Sequence, residues 1–265
     1  MVQKLLILVV LLFAVLNSSA QSAPVHIFSV SKTKKVVFSP GNLQYNTKTQ
    51  KFQFAASQAE CLGTSPSTIK DLFGWGMWLD EITDESKITN IAKDNSQYTP
   101  ELNANNEFKN NKTTVNGTEW FTLSNDEWNY LLKNRANASE KYGVAMVDGV
   151  NGFIFLPDDF LLPDSLTFKS GIADDYGAKY YQDVNNYTAA DWTILENNGA
   201  VFLPAWGCRV GTYVNGLAYY GYYWSSTARG LRYAFDLDFY LGFIGCYYRD
   251  RYWGNSVRLV RVSQN

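Results

Sequence analysis

The sequence predicts an α+β domain with two main helices set among short strands and long loops. Three observations carry this. Ser124-Asn125-Asp126-Glu127 is a capping box opening a segment whose apolar residues Trp128, Leu131 and Leu132 fall at helical spacing. A second helix over about Ala189 to Asn198 has Thr188 as its cap and Gly199 as its stop. From Val201-Phe202-Leu203 onward, short alternating runs separated by Gly-bearing turns read as strands.

Taken in order, Val36-Val37-Phe38 reads as a strand, Ser39-Pro40-Gly41-Asn42 as a turn, and Leu43 to Tyr45 as a short strand with Phe52-Gln53-Phe54 as its neighbour. Gly63 to Gly117 is rich in Asn, Ser, Thr and Lys and is expected to form long irregular loops, pinned by the aromatic island Leu72-Phe73-Gly74-Trp75-Gly76-Met77-Trp78. Tyr142 to Val147 and Phe153 to Leu156 flank Asp148-Gly149, which predicts a hairpin. Further strands are expected near Tyr222–Ser225, Tyr233–Tyr240, Ile244–Tyr248 and Ser256–Val262. No fixed-period repeat is evident. Residues 21–265 are read as a single domain.

The first twenty residues read as a cleavable secretory signal peptide. Lys4 supplies the positive start, Leu5 to Leu16 is an unbroken apolar run, and Asn17-Ser18-Ser19-Ala20 places small residues before a cleavage site at Gln21. That run would rise only about 18 Å as a helix, against roughly 30 Å of bilayer hydrocarbon. An exported protein without a transmembrane anchor is therefore expected, in the periplasm, at the cell surface or in the medium.

Charge is nearly balanced at −2, and no block of Lys and Arg interrupts it. Nucleic acid is thereby disfavoured as a partner, because a polyanion reader needs a basic stripe. Aromatic residues make up 16% of the chain, and Tyr crowds the last fifty residues. An oxidising destination would allow one bridge among Cys61, Cys208 and Cys246. Cys208–Cys246 is the candidate pair, since both lie in the C-terminal segment.

Catalytic chemistry is poorly supplied. The single histidine, His26, stands alone near the new N-terminus, which leaves Ser-His-Asp, Cys-His and zinc sites without a partner set. Phosphate-cradling Gly patterns are absent. Asp158-Asp159, Asp174-Asp175 and the strand pair Asp236 and Asp238 could supply an acid and a base, or bind calcium within Asp158–Asp175. On a strand, Asp236 and Asp238 would share a face about 7 Å apart. No cofactor is expected, with calcium the lesser option.

The C-terminal cassette is the informative stretch. It contains Gly199-Ala200-Val201-Phe202-Leu203-Pro204-Ala205, Gly221-Tyr222-Tyr223-Trp224-Ser225-Ser226-Thr227 and Arg251-Tyr252-Trp253-Gly254-Asn255-Ser256-Val257-Arg258-Leu259-Val260. With Lys35-Val36-Val37-Phe38-Ser39-Pro40-Gly41-Asn42-Leu43-Gln44-Tyr45, Asp71-Leu72-Phe73-Gly74-Trp75-Gly76, Glu127-Trp128 and Gly149-Val150-Asn151-Gly152, it resembles the Fibrobacter major paralogous domain family. Those are exported proteins related to the C-type-lectin-like fold of formylglycine-generating enzymes. The resemblance covers nearly the whole chain after the signal and implies a C-type-lectin-like single domain with short twisted antiparallel strands.

The cassette is also similar to the variable proteins of diversity-generating retroelements. That resemblance implies that Trp224, Ser225, Ser226, Gly254, Val257 and Arg258 are scaffold. Ligand-binding positions would lie between them at Tyr213, Leu217, Tyr219, Tyr220, Arg232, Tyr233, Asp236, Asp238, Tyr240, Tyr248, Asp250, Tyr252 and Trp253. Trp253 falls outside adenine-directed diversification, because replacing only the adenines of an Asn codon cannot give Trp. Tyr and Arg provide large contact area at low entropic cost, as in antibody loops. Phe235, Leu237, Phe239 and Leu241 alternate like the buried face of a strand, which leaves Asp236, Asp238 and Tyr240 on the other.

Formylglycine-generating enzymes act through a closely spaced pair of cysteines near the C-terminus, whereas Cys208 and Cys246 are thirty-eight residues apart. The calcium-type sugar motifs Glu-Pro-Asn, Gln-Pro-Asp and Trp-Asn-Asp do not occur. The expectation is a non-catalytic binding protein for a protein or glycan outside the cytoplasm. Its rivals are an enzyme of the formylglycine-generating or glycoside-cleaving kind and a structural surface protein.

Overall fold

The computed structural model describes residues 26–62, 68–89, 91–98, 102 and 105–263, so the signal-peptide reading of residues 1–20 lies outside the described residues. It is an α+β structure of small, mostly antiparallel sheets. Both expected helices form. Asn125–Lys133 begins at a complete capping box, in which Ser124 Oγ accepts from the Glu127 N–H at 3.2 Å and Glu127 Oε2 accepts from the Ser124 N–H at 2.8 Å. Its buried stripe is Trp128, Leu131 and Leu132. Ala189–Asn197 is capped by Thr188 in the same way and stops before Gly199.

Strands from near both ends of the described residues are joined in one five-stranded sheet. Lys35–Phe38 lies between Phe28–Ser29 and Leu259–Val262, and the latter also pairs with Thr118–Thr122. A second sheet holds Tyr142–Val147, Val150–Phe155 and Val201–Pro204, with Asn186–Tyr187 added in parallel. The predicted hairpin is made by Asp148 and Gly149, at φ 47° and 80°, a two-residue turn that suits the twist of the strands. Leu43–Asn46 pairs with Lys51–Phe54, as expected, and with Ile69–Lys70.

Within the expected loop region, Thr113–Val115 is instead a strand paired with Thr118–Thr122. Its turn is Asn116-Gly117, at φ 50° and 76°, a hairpin signal hidden in a polar stretch. The aromatic island is fully interior: Phe73, Trp75 and Trp78 have no exposed surface. Phe108 stacks on Trp75 with ring centroids 4.3 Å apart.

The C-terminal strands Tyr220–Arg229, Tyr233–Tyr240 and Phe243–Asp250 form a three-stranded meander. Its inner face carries Tyr223, Leu237 and Phe239 into the core around the Asn125–Lys133 helix. Gly221 is required at that packing, because a Cβ there would sit 2.0 Å from the Phe239 ring. At the other end, Trp75 Nε1 donates to the Ser225 carbonyl at 2.7 Å and Trp224 Nε1 donates to the Phe73 carbonyl at 2.7 Å. Arg258, fully buried, ties the ends together by donating to the Ser39 carbonyl at 3.3 Å, to Gln58 Oε1 at 3.1 Å and to the Phe202 carbonyl. Burial pushes its guanidinium down to about 10.

The expected Cys208–Cys246 bridge does not form, and all three cysteines are free. Cys246, opposite Leu237, turns inward and reaches Asn125 O at 3.8 Å. Cys208 lies where Arg249, Asp236 and Asp238 act on its thiol, on the other side of the sheet. Burial pushes both thiols up to about 12, so neither is a ready nucleophile. Among the described residues no helix is long and apolar enough to cross a membrane.

Replacing Trp75 or Trp224 by Phe keeps most of the packing but removes one buried indole-to-carbonyl hydrogen bond, at a cost of roughly 0.5–1.5 kcal/mol each. Urea unfolding of both variants should show this as a lowered midpoint. A midpoint within error of wild type would mean that the indole bonds do not hold the sheet.

Candidate functional site

The outer face of the three-stranded meander follows from its register. Tyr220, Tyr240 and Phe243 lie side by side, then Tyr222, Asp238 and Gly245, then Trp224, Asp236 and Tyr247. Period-two alternation puts all of them on one face, with Arg249 beyond. The rings form a near-continuous strip. Tyr220 and Tyr222 lie parallel with centroids 6.0 Å apart, Tyr220 meets Tyr240 edge-on at 5.7 Å, and Tyr240 stacks on Phe243 at 5.6 Å.

Beside this strip the loop through Leu217 and Tyr219 is held in a fixed shape. Ala218 sits at φ 64°, a left-handed conformation costly for a residue with a Cβ. Three bonds hold it there: the Ala218 N–H to the Ala205 carbonyl at 2.8 Å, Asn151 Nδ2 to the Ala218 carbonyl at 3.0 Å, and the Tyr181 hydroxyl to the Tyr219 carbonyl at 2.9 Å. Tyr219 is left 70% exposed, and Tyr213, on the neighbouring hairpin Cys208–Val210 with Tyr213–Asn215, is 75% exposed. Tyr219, Tyr220 and Tyr240 converge with Tyr180, Lys179 and Gln182 on an open pocket of about 150 Å³.

The thirteen predicted positions do not make one surface. Tyr213, Leu217, Tyr219, Tyr220 and Tyr240 are exposed on or beside the outer face. Arg232, Tyr233, Tyr248, Asp250 and Tyr252 gather around the turn at the far end. There Arg232 pairs with Asp250, Tyr233 meets Tyr248 edge-on at 5.4 Å, and Arg229 lies 3.4 Å from the Tyr248 ring centre. Tyr248 and Tyr233 are on the inner face by register, opposite Phe235 and Asp250.

Asp236 and Asp238 do face outward, as expected, but they are not displayed. Asp236 is fully buried and Asp238 nearly so, both capped by Arg249. Arg249 is itself set among the rings of Tyr222 at 4.8 Å, Tyr247 at 5.2 Å and Trp253 at 5.6 Å. Trp253 is therefore a wall of this cluster and is partly buried. Asn255 Nδ2 donates to Asp236 Oδ2 at 3.2 Å.

Burial pushes the Asp236 carboxyl up to about 8, with Arg249 opposing and Asp238 adding to the rise. Burial pushes Asp238 up to about 6, again against Arg249. At neutral pH a proton on Asp236 leaves one carboxylate, on Asp238, for one guanidinium. The cluster then carries no net charge beneath the aromatic face. As an acid–base pair it is badly placed, since its oxygens lie behind Arg249 and its rings.

Tyr247, 47% exposed on the outer face, was not among the positions the resemblance implied, nor were Tyr222, Phe243 and Arg249. The signal was available: Ile244 and Cys246 are apolar and face inward, which turns 243, 245, 247 and 249 outward and Tyr248 inward. Tyr180, Lys179 and Gln182 come from a distant segment, and no sequence signal placed them here.

The other acidic pairs serve local structure. Asp158 accepts from the Ser29 N–H at 2.8 Å and its hydroxyl at 2.6 Å and pairs with buried Arg135. Asp175 accepts from the Ile172 N–H at 2.9 Å. His26 packs against Gly199, with Nδ1 3.8 Å from Asp159. Among the described residues no group of three or more His, Cys, Asp or Glu side chains is placed to hold a metal ion. No family model, curated protein or solved structure matches the chain.

The raised carboxyls set a sign for pH dependence. The folded state holds these protons more tightly than the unfolded chain, whose carboxyls titrate near 3.9. The stability they contribute is full below that range and is lost as pH rises through about 6 and then about 8. Urea midpoints should fall from pH 5 to pH 9, and Asp236→Asn should flatten the upper part of that fall. An unchanged slope in the variant would show that Asp236 is not the titrating group.

Proposed function

We propose that this chain is an exported, non-catalytic binding protein of C-type-lectin-like fold that presents its tyrosine-rich face to a protein or glycan outside the cytoplasm. The observation that carries the reading is the convergence of Tyr219, Tyr220 and Tyr240 on one open pocket, at the end of a sheet whose inner face is locked into the core. Exposed rings held by a rigid support lose little entropy on binding, which is how tyrosine-rich paratopes gain affinity.

The fold reading is supported by the pairing of Lys35–Phe38 with Leu259–Val262, which closes the domain at its ends, and by the long irregular chain between the sheets. The resemblance of the C-terminal cassette adds to it. Of its six scaffold positions, Trp224, Ser225, Val257 and Arg258 are fully buried and Gly254 is buried, while Ser226 is partly exposed. Export is supported by the signal-like first twenty residues. The thiols held protonated and the carboxylates enclosed by Arg249 favour binding over catalysis.

The triple variant Tyr219→Ala, Tyr220→Ala, Tyr240→Ala should reduce capture of ligand from extracts of host or neighbouring cells at least tenfold. Its cost in stability should be only about 1–2 kcal/mol, since Tyr219, Tyr220 and Tyr240 are 70%, 40% and 42% exposed and mainly lose ring–ring contacts. Pull-down on immobilised protein, with circular dichroism on the same samples, checks both. Undiminished capture by a folded triple variant would move the ligand surface elsewhere.

A further inference from the structure

We infer that the pocket among Tyr219, Tyr220, Tyr240 and Tyr180 is a subsite for a single pyranose ring of a glycan, bound without calcium. This rests on the reading of the tyrosine face as a ligand surface and names the class of ligand. Size is the first constraint. The pocket is about 150 Å³, half or less of the roughly 300–1,000 Å³ typical for drug-sized ligands, so it takes one ring or one side chain.

Chemistry of the lining is the second. Tyrosines and Leu241 supply its apolar lining, while Lys179, Gln182 and Asn151 add side chains that can donate and accept hydrogen bonds. A wholly apolar side chain would cover the rings but strip water from those polar groups without replacing its hydrogen bonds. No carboxylate lines the pocket, which leaves a lysine or arginine side chain without a counter-charge. A pyranose has C–H groups on one face and hydroxyls around its edge. It meets the rings and the polar rim at once.

Continuity is the third. From the pocket the aromatic strip runs on through Tyr222 in one direction and Phe243 in the other. A chain of sugar rings entering at the pocket would find further stacking surface there. The polar wall from Lys179 and Gln182 lies outside the C-terminal cassette and is placed to choose among hydroxyl patterns, while Tyr219 and Tyr240 supply stacking.

The test is a glycan array probed with the full chain in buffer containing EDTA, alongside Tyr219→Ala, Tyr240→Ala and Gln182→Ala. Expected are binding that persists in EDTA, a tenfold or greater loss in each tyrosine variant, and an altered order of preferred rings in Gln182→Ala. A silent array, while capture from extracts still depends on the three tyrosines, overturns the sugar subsite and makes the ligand a protein. That outcome leaves the binding reading intact. Binding that disappears in EDTA, or that ignores both tyrosine substitutions, also overturns the subsite. If capture from extracts is equally indifferent to the tyrosines, the binding reading falls with it.

Discussion

The reciprocal indole clasp between the aromatic island and the C-terminal sheet is the constraint on which the rest of the structure depends. Trp75 reaches the Ser225 carbonyl, and Trp224 reaches the Phe73 carbonyl, each at 2.7 Å and out of contact with solvent. Two buried indole donors that would otherwise be left without a partner each meet a carbonyl. The backbone around the clasp is paired as well, with Phe73 and Asn255 exchanging bonds at 2.9 and 3.1 Å and the Trp75 N–H reaching the Arg251 carbonyl at 2.9 Å. A segment with little regular structure of its own is thereby made part of the sheet. The sheet in turn gains a rigid end.

That rigidity allows the outer face to be unusual. Below the rings lies a polar layer, Asp236, Asp238 and Arg249, which would be costly if its charges were unbalanced. One proton held by Asp236 and one ion pair between Asp238 and Arg249 balance it. Above it, Tyr220, Tyr222, Tyr240, Phe243 and Tyr247 can remain at the surface because the inner face supplies the hydrophobic burial through Tyr223, Leu237 and Phe239. The strained loop at Ala218 fits the same division of labour. Its conformation is held by bonds from Asn151 and Tyr181, and its product is an outward Tyr219.

Much of this architecture was legible in the sequence because local signals and global packing agree. The capping boxes at Ser124 and Thr188, the Asp148-Gly149 turn and the alternation of Leu237 and Phe239 each specify one local structure, and each is found. Asn116-Gly117 was equally informative but was masked by its polar surroundings. The site was legible only in part. The resemblance of the C-terminal cassette pointed to Tyr219, Tyr220 and Tyr240, which are exposed together, but it could not tell an exposed Asp from one buried beneath an arginine. Tyr248 was chosen over Tyr247, and a single-residue step on a strand exchanges the faces. The Lys179, Tyr180 and Gln182 wall depends on tertiary contact between segments about forty residues apart, which no local pattern records. Cys208 and Cys246 show the same limit, lying in one C-terminal segment but in separate sheets.

Tyrosine-selective nitration read by mass spectrometry, with and without the captured ligand fraction, is the most direct measurement of the central claim. In the free protein Tyr213, Tyr219, Tyr220, Tyr240 and Tyr247 should react, while Tyr223, enclosed in the core, should not. With ligand present, protection is predicted at Tyr219, Tyr220 and Tyr240, and reactivity should persist at exposed Tyr176. Full reactivity of all three in the bound state would contradict the account.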